Sequence, residues 1–139
     1  MASSFSQQWI AYTDGASRGN PGLSGIGAVL TSPSGDEFPL KKFLGEKTNN
    51  QAEYEALLLA LEEAKRQGAA ALLVRADSEL MVRQMNGQYR VKNENILPLY
   101  KRAKELASQF SSICFEHVRR EQNTAADKLA NQAIDERVR

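Results

Sequence analysis

Trp9-Ile10-Ala11-Tyr12-Thr13-Asp14 is an apolar run that closes on an acid, and Gly15-Ala16-Ser17-Arg18-Gly19-Asn20-Pro21-Gly22 follows it. The run reads as a β-strand and the glycine-rich segment as a turn. This predicts a strand ending at Asp14, with its carboxylate at a rim that a ligand can reach. Three more carboxylates stand in comparable positions downstream: Glu53, Asp77 and Asp127. Hard divalent cations such as Mg²⁺ take oxygen ligands, and carboxylates are the strongest that side chains offer.

Working outward, Ile26–Thr31 and Glu37–Leu44 read as two strands joined by the turn Ser32-Pro33-Ser34-Gly35-Asp36. With the first strand they form a three-stranded antiparallel meander, and Pro39 places the third strand at an edge. From Asn50 to Gln67 the period changes. Leu57, Leu58, Leu61 and Ala64 make a helical stripe, and Gly68 stops it. Ala71–Ala76 is a short strand, Ser78–Met85 a short helix, and Gln88–Asn95 a polar loop. Ile96–Phe110 is helical, with Pro98 tolerated in its first turn. Ile113–Val118 is the last strand and Thr124–Val138 the last helix. Strands first, then strands alternating with helices, give an α/β fold: a five-stranded mixed sheet flanked by helices.

Length and composition set the frame. The 139 residues make one domain, with a core from about residue 8 to 138 and residues 1–7 expected to be flexible. With 18 basic and 17 acidic residues the formal charge is +1, so any basic surface must be local. The single cysteine, Cys114, excludes an internal disulfide and fits a reducing compartment. No apolar run approaches the roughly 20 residues that span a membrane, and the first eight residues carry no secretory pattern. These features lead us to expect a cytoplasmic protein with no membrane association.

Each acid also has a structural reading. Asp14 with Gly15 fits a plain turn. Glu53, three residues after Asn50, fits a capping box, as does Asp127 after Thr124. Asp77 fits the N-cap of the short helix. Position along the elements weighs against these. Glu53 shares a helical face with Leu57, Ala60 and Ala64, and Asp127 with Ala130 and Ile134. Acids turned toward an apolar layer are costly unless paired or metal-bound, and no basic partner is evident on those faces. Crowded carboxylates repel one another, and a divalent ion resolves the conflict.

Four blocks carry a family resemblance. Tyr12-Thr13-Asp14-Gly15-Ala16-Ser17-Arg18-Gly19-Asn20-Pro21-Gly22 resembles the first signature of type 1 ribonuclease H. Thr48-Asn49-Asn50-Gln51-Ala52-Glu53-Tyr54-Glu55-Ala56 resembles the second. Ala76-Asp77-Ser78-Glu79-Leu80 and Arg120-Glu121-Gln122-Asn123-Thr124-Ala125-Ala126-Asp127-Lys128-Leu129-Ala130 resemble the third and fourth. One block alone is weak; four in order, from about Ile10 to Ala133 and each with its acid, are specific.

The resemblance implies the ribonuclease H-like fold, with Asp14, Glu53, Asp77 and Asp127 as catalytic residues that hold two Mg²⁺ ions. Mn²⁺ is the expected substitute. It implies hydrolysis of the RNA strand of an RNA–DNA hybrid, leaving 3′-hydroxyl and 5′-phosphate ends. It also implies that Asn20, Asn49, Gln51 and Glu79, with the backbone at Gly15 and Ser17, contact the hybrid. A monomer is expected. Many members grip the hybrid with a basic, tryptophan-containing protrusion. Here Gly87-Gln88-Tyr89-Arg90-Val91-Lys92-Asn93 takes its place and is too short, so binding falls to scattered charges such as Arg83, Arg90, Lys92, Lys101 and Arg102. Many members also carry a mobile histidine before the last acid. The only histidine, His117, falls inside a predicted strand, so that role is not carried over; Arg119 or Arg120 are candidates for it, or for phosphate contacts. The short form resembles the archaeal-like branch, some of whose members also cut double-stranded RNA. The competing reading is a non-catalytic hybrid- or RNA-binding module on the same fold.

Overall fold

The computed structural model describes residues 7–138. The segment expected to be flexible, 1–7, falls almost wholly outside them. Five strands form one sheet in the order β3-β2-β1-β4-β5. β1 (Gln8–Gly19), β2 (Gly22–Thr31) and β3 (Glu37–Lys47) are the antiparallel meander. β4 (Ala71–Ala76) and β5 (Ser112–His117) extend it in parallel on the other side of β1. Pro39 lies on β3, which is an edge strand, as expected.

β1 does not end at Asp14. Its pairing with β2 runs on from Asp14↔Gly27 to Gly19↔Gly22, and only Asn20-Pro21 forms the turn. β2 and β3 are longer than expected for the same reason. The glycines that read as a loop are strand residues, and packing explains several of them. A Cβ on Gly15 would stand 2.4 Å from the Ala52 carbonyl carbon. On Gly25 it would stand 2.4 Å from the Ala130 carbonyl oxygen, and on Gly27 2.3 Å from that of Ala126. Glycine here lets helix backbone lie directly against strand backbone.

The helices are α1 (Asn49–Arg66), α2 (Glu79–Met85), α3 (Leu97–Ala107) and α4 (Thr124–Arg137). α1 packs on the face where Ala11, Leu30, Leu72 and Val74 form the core with Leu57 and Leu61. α4 covers β1, β2 and β3 from the opposite face, against Gly25 and Gly27. α3 stops at Ala107, three residues short of the sequence reading. There the Ser108 hydroxyl donates to the Glu105 carbonyl at 2.6 Å, and Phe110 turns back into the core. No helix among the described residues is long and apolar enough to cross a membrane.

The caps differ from the sequence readings, and the difference frees the acids. Thr48 caps α1, in a capping box completed by Gln51 and not by Glu53. Ser78 caps α2, so Asp77 does not. Asn123 precedes α4, and neither Thr124 nor Asp127 closes a capping box there.

Candidate active site

The parallel ladder stops at Thr13↔Ala76↔His117. The next residue on each chain is Asp14, Asp77 and Val118. Two carboxylates therefore stand side by side where the sheet opens and neighbouring backbone no longer fills the gap. Glu53 comes down from the first turns of α1. Its Oε1 accepts the Gly15 N–H at 2.8 Å, a contact that a side chain at position 15 would block. Carboxylate oxygens of Asp14, Glu53 and Asp77 lie within 4.8 Å of one another.

Asp127 reaches the same place from α4. Asn123, 1% exposed, donates through Nδ2 to the Thr13 carbonyl at 2.9 Å and so anchors α4 one residue before Asp14. The Asp127 N–H then donates to the Asn123 carbonyl at 3.1 Å. Asp127 lies outside the three-oxygen cluster but lines the same cleft, of about 740 Å³. Gly15, Ser17, Asn49, His117, Arg119, Arg120 and Asn131 complete most of its wall.

The electrostatics are those of crowded, desolvated acids. Asp14 is 5% exposed, and burial pushes its carboxyl far above the usual range, helped by Glu53, Asp77 and Asp127. Burial, then Asp77, pushes Glu53 up to about 8, against the pull of the Gly15 N–H and Arg120. Three oxygens this close, two of them held against ionisation, suit a hard divalent cation, which would neutralise what the fold has forced together.

The other expected residues divide. Gly15, Ser17 and Asn49 line the cleft. Asn20 does not, but its Oδ1 accepts the Asn49 N–H at 3.1 Å and ties the β1–β2 turn to the start of α1. The Gln51 Oε1 accepts the Thr48 N–H at 2.9 Å, which commits that oxygen to the helix cap and away from the cleft. Glu79 is exposed outside the cleft wall and pairs with Arg83 at 3.1 Å.

The helical faces of Glu53 and Asp127 carry no basic partner, but a 3₁₀ turn, Arg120–Gln122, follows β5 and puts Arg120 on the cleft wall, where its charge favours the ionised form of Glu53. His117 falls in the last strand, as expected, but as the final residue of β5 it also stands on the cleft wall. Sequence reasoning missed Asn131. Its only signal was its spacing of one helical turn beyond Asp127. Among the scattered cations, Arg102 pairs with Glu62, and Arg83 stacks on Tyr89 as well as pairing with Glu79.

The family model described as reverse transcriptase-like matches residues 12–133. The bifunctional protein Rv2228c of Mycobacterium tuberculosis is 46% identical over 128 residues, covering 91% of this chain and 35% of that protein. The chain thus spans about a third of the length of this curated relative. The crystal structure of RNase H1 from Halobacterium salinarum is similar at a TM-score of 0.89, with 41% identity over 93% of this chain and 98% of that one. LC11-RNase H1, solved in complex with RNA/DNA hybrid, gives a TM-score of 0.88 and 41% identity, covering 94% of this chain and 99% of that one.

Proposed function

We propose that this chain, which belongs to the type 1 ribonuclease H family, is an endoribonuclease that hydrolyses the RNA strand of RNA–DNA hybrids. The convergence of Asp14, Glu53 and Asp77 within 4.8 Å, in an open cleft that Asp127 also lines, carries this reading. A binding module would have no use for buried, mutually repelling acids, which cost stability without a cation.

Asp14, Glu53, Asp77 and Asp127 would hold two Mg²⁺ ions, or Mn²⁺ in their place. When bound, such ions supply a nucleophile from water at neutral pH and offset charge on the phosphorus oxygens and the departing 3′ oxygen. The products are 3′-hydroxyl and 5′-phosphate ends. The chain itself supplies placement. The Gly15 N–H occupies one Glu53 oxygen and so leaves the other free for the cleft. Arg119 and Arg120 give the cleft wall cations for phosphate, and the His117 ring adds a polar group beside them. Asn49 and Ser17 offer donors and acceptors to 2′-hydroxyls, the group that separates RNA from DNA. Asn20 and Gln51 support Asn49 through the turn and the helix cap, and Glu79 stands farther out, beside Arg83.

The test is to incubate the protein with labelled RNA–DNA hybrid, duplex RNA and duplex DNA, with Mg²⁺ and with chelator. Mg²⁺-dependent cutting of the RNA strand of the hybrid is expected. Tight hybrid binding without cutting in Mg²⁺ would favour the binding module. The duplex RNA arm decides whether the substrate range is wider.

A further inference from the structure

Asp127 is the acid that the three-oxygen cluster leaves out, yet its carboxylate is held. Asn131, one turn along α4, donates from Nδ2 to the Asp127 carbonyl at 3.0 Å and to the Asp127 Oδ1 at 3.3 Å. On its other side, the Asn131 Oδ1 accepts from Arg18 Nη2 at 3.3 Å, and its backbone carbonyl accepts from the same nitrogen at 3.4 Å. Arg18 Nη1 pairs with Asp135 at 2.7 Å. Arg18 lies on β1, four residues after Asp14. One chain of contacts therefore joins the strand that carries Asp14 to the helix that carries Asp127.

The chemistry fixes the direction of this chain. A guanidinium has donors only, so the amide oxygen of Asn131 must face Arg18. The amide nitrogen is then turned toward Asp127, whose carboxylate can only accept. Both members of the Arg18–Asp135 pair are well exposed, at 41% and 54%, and exposed ion pairs add little to stability. The arrangement is poorly suited to holding the fold and well suited to aiming a side chain.

We infer that Asn131 is a positioning residue, which sets the orientation of the Asp127 carboxylate in the cleft and is itself oriented by Arg18. This rests on the nuclease reading for its consequence in turnover, but not for its consequence in metal binding. Groups that orient metal-binding side chains typically change metal affinity or activity by about 10–100-fold when removed. Asn131→Ala should therefore lower kcat on the hybrid by about tenfold or more and raise the Mg²⁺ concentration needed for half-maximal rate. KM for the hybrid should stay within about twofold, since no substrate contact is lost. Arg18→Ala should act in the same direction and more weakly, and the double variant should be no worse than Asn131→Ala alone.

The experiment measures kcat, KM and Mg²⁺ dependence for the three variants, and Mn²⁺ binding by calorimetry without substrate, with thermal unfolding as a check on the fold. Weaker Mn²⁺ binding in Asn131→Ala at an unchanged melting temperature supports the inference even if the parent protein cuts no hybrid. Wild-type metal dependence in Asn131→Ala overturns it. So does a loss confined to KM, which would make Asn131 a substrate contact. Additive losses in the double variant overturn the part given to Arg18. If Asn131→Ala fails to fold, Asn131→Asp replaces it. That variant keeps the size and puts an acceptor against Asp127, and unchanged Mn²⁺ affinity in it overturns the inference equally.

Discussion

At the scale of single residues, the site is a store of electrostatic strain. Asp14→Asn keeps the shape, removes a carboxyl that burial and its neighbours hold against ionisation at a cost in stability, and removes a proposed ligand. Hybrid cleavage should be lost while the metal-free protein becomes more stable, by about 1 kcal/mol or more, since one unit of pKa displacement is worth about 1.4 kcal/mol. Cleavage assays and thermal unfolding in chelator check both halves. A folded, fully active variant would exclude the metal-site assignment. The same strain sets a pH dependence. Glu53 holds its proton more tightly in the folded protein than in the unfolded chain, as does Asp14. The folded state therefore binds more protons between the two values, and stability must fall as pH rises. For Glu53 the window runs from 4.5 to about 8. In chelator the melting temperature should decline across it, and saturating Mg²⁺ should flatten the decline. A flat metal-free profile would mean that burial and the neighbouring acids do not raise these carboxyls as described.

At the scale of elements, the site depends on how closely helix backbone approaches strand backbone. Gly27 pairs with Asp14 across β1 and β2, and a Cβ there would stand 2.3 Å from the Ala126 carbonyl oxygen. Gly27 is not a positive-φ glycine, so alanine is conformationally allowed and the clash is purely steric. Gly27→Ala must push α4 outward, and Asp127 with it. Overpacking of this kind costs about 1–3 kcal/mol. Activity at saturating Mg²⁺ and a temperature well below melting should still fall, because the fourth acid is displaced in the folded protein. Unchanged activity there would show that the height of α4 does not matter to the site.

At the scale of the molecule, charge decides how the hybrid is held. The net charge is +1, the loop at residues 87–93 is short, and several cations are already paired with acids, among them Arg18, Arg83 and Arg102. The short loop adds few phosphate contacts to those of the cleft wall. Hybrid affinity should thus be modest, with a shallow salt dependence. Binding titrated across salt concentrations in Ca²⁺ measures this. A slope equivalent to about eight or more phosphate contacts would reveal a basic surface beyond the cleft wall.

The sequence by itself determined the order and type of the elements, the edge position of β3 and the four acids. Those features are written in local periodicity, in proline and glycine chemistry, and in four blocks that resemble one family. Helix α1 and strand β4 lie almost where their apolar patterns place them, because a buried face leaves a clear period. Only the tertiary structure decided what the glycines were for. Gly15 reads as part of a turn and Gly27 as an ordinary strand residue, yet both, with Gly25, are contact points between backbones in space. It also decided that Thr48 and Gln51, not Asn50 and Glu53, cap α1, since several candidates offered similar spacing and packing chose one. Arg120, His117 and Asn131 share the cleft with the acids because a parallel ladder ends at Ala76↔His117 and a helix crosses β1 at Arg18. Those contacts join residues as far as 113 positions apart, and local spacing carries no information about them.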